Sequence, residues 1–66
     1  MVEIVAPAYL VGKSLRESNI RQQYGLAVIA IRRNEEAIIS PMAEETIQQD
    51  DILLVLGRID SCDKLR

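Results

Sequence analysis

Two runs limit what this chain can fold into: Leu26-Ala27-Val28-Ile29-Ala30-Ile31 and Ile52-Leu53-Leu54-Val55-Leu56 are apolar at odd and even positions alike. Successive side chains of a strand point to opposite sides of the sheet, so a strand with one face in water alternates apolar and polar residues. These runs do not alternate, and each therefore reads as a strand covered on both faces. A chain of 66 residues buries only about 60% of its unfolded surface. Cover for both faces is expected from the helices and from a second subunit.

The rest of the chain frames these runs. Val2 to Val5 is a short β-type stretch ended by Ala6-Pro7, since proline cannot donate to a ladder. Ala8 to Lys13 reads as a connector in which Tyr9, Leu10 and Val11 pack down and Gly12 permits a bend. Ser14-x-x-Glu17 has the spacing of a capping box and marks a helix start. Ser18-Asn19 is a second cap-type pair ahead of Ile20 to Tyr24, so the helix is expected in two pieces, stopped by Gly25. The first long strand follows from Leu26 to Arg33. Asn34 sits in a polar turn leading into Ala37-Ile38-Ile39-Ser40, a second strand closed by Pro41. Pro41 to Gln49 suits a loop or a single helical turn anchored by Ile47, and Asp50-Asp51 marks a tight turn. After Ile52 to Leu56 and Gly57, Asp60 or Ser61 caps a last helix with Cys62 and Leu65 on its inner side. The expected fold is α+β: a small two-layer α/β sandwich in the order β-α-β-β-β-α, homodimeric.

Composition narrows the function. There are two tyrosines but no tryptophan or phenylalanine, so the core is aliphatic. With 8 basic and 10 acidic residues the formal net charge is −2, which gives no general attraction to nucleic acid or an anionic membrane. Any anion site must be local. A single cysteine and no histidine exclude an internal disulfide and the common zinc patterns, and fit a reducing, intracellular setting. No apolar run approaches the roughly 20 residues of a membrane span, and no leader pattern stands at the N-terminus. Residues 1–66 read as one domain, a fragment of a longer chain, because strand pattern begins at once and helix pattern is unfinished at Leu65-Arg66.

Little here supports catalysis. Without histidine, Ser14, Ser18, Ser40, Ser61 and Cys62 have no usual activating partner. The carboxylate pairs Glu35-Glu36, Glu44-Glu45 and Asp50-Asp51 are of a type that can ligate calcium or exchange protons, but all fall where turns need polarity, and solvated turns are the simpler reading. No phosphate-cradling glycine loop is present. Arg21 beside Ile20 has the chemistry to grip a phosphate or carboxylate through two parallel bonds. From the residues alone, the ordinary alternative is a surface pair with Glu17 at i, i+4. Tyr24 is more simply a core aromatic with its hydroxyl at the surface than a stacking platform.

Gly12-Lys13-Ser14-Leu15, Ile20-Arg21-Gln22-Gln23-Tyr24-Gly25 running on to Arg33, Ile38-Ile39-Ser40-Pro41 and Asp51-Ile52-Leu53-Leu54-Val55-Leu56-Gly57 together resemble the C-terminal domain of RCK proteins, also called TrkA-C. The family pattern is roughly G-K-[ST]-L, L-R-x-x-Y-G-x-x-[IV]-[ILV]-A-[IV]-x-R, I-x-x-P and G-D-x-L-x-V-x-G. The resemblance covers nearly the whole chain. Two departures stand out: Asp50-Asp51 replaces the usual G-D, and Asn19 stands where the family often has an aliphatic residue or aspartate.

The resemblance implies a homodimeric, ligand-sensing regulatory lobe of a potassium or other monovalent cation channel or transporter. It would lie at the cytoplasmic face of the membrane, carry no cofactor and no enzymatic activity, and partner a transmembrane transport subunit or domain. In one branch the ligand is cyclic di-AMP, held between two copies. The corresponding positions here are Leu15, Arg16, Asn19, Ile20, Arg21, Ala27, Val28 and Pro41. Ile20, Arg21, Val28 and Pro41 match in residue type, whereas Arg16 stands where that branch tends to be aliphatic. A dinucleotide has flat apolar bases and two phosphates, so aliphatic walls and one arginine per phosphate suit it, and two-fold symmetry supplies each twice. The alternatives are a lobe that senses a divalent cation or another nucleotide through its carboxylates, and a dimerisation module without a ligand.

Overall fold

A computed structural model describes residues 1–65. The chain forms β1 (Val2–Val5), a 3-10 turn (Ala8–Leu10), α1 (Leu15–Ser18), α2 (Ile20–Tyr24), β2 (Ala27–Arg33), β3 (Glu36–Ile39), β4 (Ile52–Leu56) and α3 (Ile59–Leu65). The strands make one sheet in the order β1-β4-β2-β3, with every neighbouring pair antiparallel. The α+β class and the element order are as the sequence predicts.

Register decides which side chains meet. Val2 pairs with Val55, Ile4 with Leu53, Ile31 with Leu53 and with Ile38, so these side chains share one face. Leu10, Ile20, Ile47, Cys62 and Leu65 join them in a single buried cluster, which puts the 3-10 turn, α2, α3 and the Ile47 segment on that same face. The other face is not covered within a single chain. Val5, Leu56 and Ile39 stay 64%, 53% and 69% exposed, and Ile52 and Leu54 are half-buried. The reason is supply: the chain has short helices for one layer, and they all lie in that layer.

Local signals decide the termini. Ser14 accepts from the Glu17 N–H, and the Glu17 carboxylate accepts from the Ser14 N–H, closing the capping box. Asn19, at φ 57° and ψ 29°, ends α1 and starts α2 in the left-handed region, so the helix is indeed in two pieces. Gly25, at φ 68°, stops α2. Asn34, also left-handed at φ 57°, makes the two-residue turn between Arg33 and Glu36, so β3 begins one residue earlier than expected and ends at Ile39. The last helix starts at Ile59, ahead of Asp60 and Ser61, with Cys62 and Leu65 buried on its inner side; the expectation of an unfinished helix at Leu65-Arg66 falls partly outside the described residues.

One connector differs from expectation. In the 3-10 turn only Leu10 is buried, while Tyr9 and Val11 are exposed, because three residues per turn point consecutive side chains in different directions. The Tyr9 hydroxyl nevertheless donates to the Leu65 carbonyl at 2.6 Å and ties this turn to α3. Burial of that end, followed by the neighbouring Tyr24 hydroxyl, pushes the Tyr9 phenol up to about 12. The 41–49 stretch is a loop, as expected, with a turn closed by the Glu45 N–H on Met42 O; it is stitched to 12–16, with Leu15 N–H donating to Glu45 O, Arg16 N–H to Ala43 O, Ile47 N–H to Lys13 O and Gly12 N–H to Ile47 O.

A second correction concerns Asp51, which the sequence places in a solvated turn but which is only 1% exposed. Arg33 Nε donates to its Oδ1 at 2.9 Å and Arg33 NH2 to its Oδ2 at 2.8 Å, while the Gln48 N–H donates to Oδ2 at 2.9 Å. The same guanidinium reaches the Glu45 carboxylate and the Thr46 carbonyl. Burial alone would raise the Asp51 carboxyl, but the Arg33 bonds, the Gln48 N–H and the Arg33 charge together hold it below the ordinary aspartate range. Arg33 is raised in turn, chiefly by its hydrogen bonds to Asp51, and stays charged. The clamp fixes the 45–51 segment to the end of β2.

Candidate functional site

A groove of about 470 Å³ runs between α1 and α2, the start of β2 and the segment after β3. Each position that the resemblance marks lies on it: Leu15 and Arg16 from α1, Asn19 from the junction, Ile20 and Arg21 from α2, Ala27 and Val28 from β2, and Pro41 beyond β3. Ser18, Gln22, Leu26 and Ala43 also line it and were not singled out in the sequence. Ser18 is buried because its hydroxyl donates to Leu15 O at 2.6 Å, the usual way a helical serine satisfies itself, so it reads as structural.

Two backbone irregularities assemble the groove. The left-handed Asn19 swings the chain between α1 and α2, so that residues close in sequence line one concave surface. In β2, Val28 pairs with Val55 but Ala30 with Leu54, which leaves Ile29 as an extra residue in a bulge. Without the bulge Val28 would share the face of Ala30; with it, Val28 packs against the core cluster and meets the groove, while Ala27 stays in register with Leu56. Ser40, left-handed at φ 50°, then turns the chain so that Pro41 closes the far side.

The lining mixes aliphatic side chains with the polar Ser18, Asn19 and Gln22, and its charged residues are Arg16 and Arg21, with no carboxylate among them. Arg21 makes no ion pair or side-chain hydrogen bond among the described residues. Its ordinary pairing with Glu17 does not form, because the break at Asn19 removes the i, i+4 register and Glu17 is engaged by the cap. Those cap bonds, first the Ser14 backbone N–H, hold the Glu17 carboxyl below its usual range. Arg16 pairs with Glu44 at 3.1 Å. Ile20 is 2% exposed and belongs to the core, so it forms the floor of the groove more than its wall. The first amides of α1 are already spent on Glu45 O and Ala43 O, so recognition of an anion falls to the guanidiniums.

No three carboxylates or cysteines gather in a metal-holding group among the described residues, and Glu45 and Asp51 are taken up by Arg33. No helix is long and apolar enough to cross a membrane among the described residues.

A single antiparallel sheet with helices on one face and a groove at the α1–α2 break is the architecture of an RCK C-terminal lobe. The RCK C domain of the potassium transport protein KtrA, solved with cyclic diadenosine monophosphate, superposes with a TM-score of 0.90 at 36% identity, over 96% of this chain and 74% of that one. The chain belongs to the TrkA-C domain family, whose model matches residues 1–66. It is similar to Ktr system potassium uptake protein C of Bacillus subtilis (strain 168), 48% identical over 59 residues, which is 89% of this chain and 27% of that protein. The RCK_C domain dimer of S. agalactiae BusR in complex with c-di-AMP gives a TM-score of 0.85 at 30% identity, over 94% of this chain and 84% of that one. The chain thus spans about a quarter of the length of the Ktr protein it resembles.

Proposed function

We propose that this domain is the ligand-sensing regulatory lobe of a potassium or other monovalent cation transporter, working as a homodimer at the cytoplasmic face of the membrane and binding cyclic di-AMP across its two grooves. The observation that carries the reading is the groove itself: Arg16 and Arg21 both line it, beside aliphatic residues and with no carboxylate among the lining, in a chain of net charge −2. Arg21 has no intramolecular partner among the described residues, so a phosphate would not have to compete for it. The KtrA and BusR complexes with cyclic di-AMP, at 36% and 30% identity, support the choice of ligand.

Two copies facing across a two-fold axis present each arginine twice, matching a ligand with two equivalent phosphates. Leu15, Ala27, Val28 and Pro41 would receive the bases. Binding at such an interface favours one relative orientation of the copies, and an attached transport subunit can read that change. Titration of the domain with cyclic di-AMP by calorimetry tests the reading. Saturable binding of one ligand per two chains is expected, and Arg21→Ala should weaken it more than tenfold, because a hydrogen bond to a charged group is worth about 1.5–3 kcal/mol. No heat at micromolar protein, or an Arg21→Ala variant that binds as the parent does, would overturn it.

A further inference from the structure

The groove carries a contact that simple anion recognition would not require. Arg16 NH2 lies 3.1 Å from Glu44 Oε1, bridging α1 and the segment after β3 at the groove rim. Both side chains are largely exposed, at 71% and 65%. The spacing beneath them is set by backbone, since the Arg16 N–H donates to Ala43 O at 2.9 Å and the Leu15 N–H to Glu45 O at 2.9 Å. Among the described residues Glu44 is the carboxylate paired with a groove arginine; Glu45 is held by Arg33 and Glu17 by the cap. A solvent-exposed pair of this kind is weak and easily exchanged.

We propose that Glu44 is a built-in competitor for the anionic part of the ligand. In the empty groove its carboxylate occupies Arg16; a phosphate entering the groove takes its place, and Glu44 swings into solvent while the Ala43 backbone stays put. Arg16 then becomes a second specificity-determining cation beside Arg21, screened from weakly charged ligands, and Glu44 sets how much negative charge a ligand must bring. This rests on the reading that an anionic nucleotide enters the groove.

Calorimetric titration with cyclic di-AMP of the parent chain, Glu44→Gln, Arg16→Gln, Arg16→Gln/Glu44→Gln and Arg21→Ala tests it, with Glu35→Gln on the β2–β3 turn as a control for net charge. Glu44→Gln should bind about two- to fivefold tighter, the affinity gain that follows from removing an exposed ion pair. Arg16→Gln should bind more weakly, Glu44→Gln should add nothing in that background, and Glu35→Gln should match the parent. Binding by Glu44→Gln alone would also support the proposal. Unchanged or weaker binding by Glu44→Gln, or a gain that persists without Arg16, overturns it. If the parent binds and Arg21→Ala does not, while Glu44→Gln is unchanged, the competitor role falls and the ligand reading stands; no binding in any variant removes both.

Discussion

Arg33 and Asp51 show how much one pair of side chains can hold in a domain this small. Asp51 is fully buried and bonded twice by the guanidinium and once by the Gln48 N–H, so its removal leaves a half-buried cation and an orphaned amide. Asp51→Ala is expected to cost about 3 kcal/mol, lowering the melting temperature by more than about 10 °C in calorimetry or circular dichroism. The pH dependence follows from the direction of the shift. Asp51 is depressed in the folded chain, so its contribution is complete above the unfolded value of about 3.9 and is lost as pH falls through the lower folded value. Chemical denaturation between about pH 5 and pH 2 should show the parent losing stability on acidification and Asp51→Asn losing less of it. At the other extreme, Tyr9 is raised to about 12. Its contribution is complete below the unfolded value of about 10 and disappears as pH rises through 12, and Tyr9→Phe should cost about 1 kcal/mol at neutral pH.

At the scale of elements, backbone conformation does what side chains cannot. Asp50 is left-handed at φ 69°, where the family pattern has glycine and where an L side chain is strained. Asp50→Gly is therefore expected to raise stability by about 0.5–1 kcal/mol, measured by urea denaturation. Gly57 behaves oppositely: a Cβ there would run into the Leu26 side chain, which is buried in the core. Gly57→Ala should destabilise by about 1–3 kcal/mol through overpacking, readable in the same titration. The capping box, the Asn19 break, the Gly25 stop and the Asn34 turn were all legible from residue type and spacing, because each is a local rule satisfied within a few residues. The bulge at Ile29 was not, since an apolar run looks the same with or without an extra residue in it. Nor was the Arg33–Asp51 clamp, whose partners stand 18 positions apart and meet only when β2 and β4 pair.

For the whole molecule, the open question of cover on the outer sheet face becomes a measurement. Val5, Ile39 and Leu56 leave an apolar surface that a lone chain exposes to water, and the proposed function needs two copies. Sedimentation equilibrium should find dimers at tens of micromolar, and the melting temperature should rise with protein concentration and with added cyclic di-AMP, as mass action requires. A monomer under all these conditions would contradict the proposed sensor.

The sequence by itself determined the α+β class, the element order, the ends of α1 and α2 and the β2–β3 turn, and, through resemblance, positions that line the groove. Capping, glycine stops and strand patterning act over a few residues, and four motifs in order are enough to identify a family. Only the tertiary structure decided which face of the sheet is covered, where Val28 turns, that Arg33 engages Glu45 and Asp51, and that among the described residues Arg21 is left without a partner while Arg16 pairs with Glu44. Those outcomes depend on strand register and on segments far apart in the chain coming within hydrogen-bonding distance, and a pattern read along the chain does not contain that information.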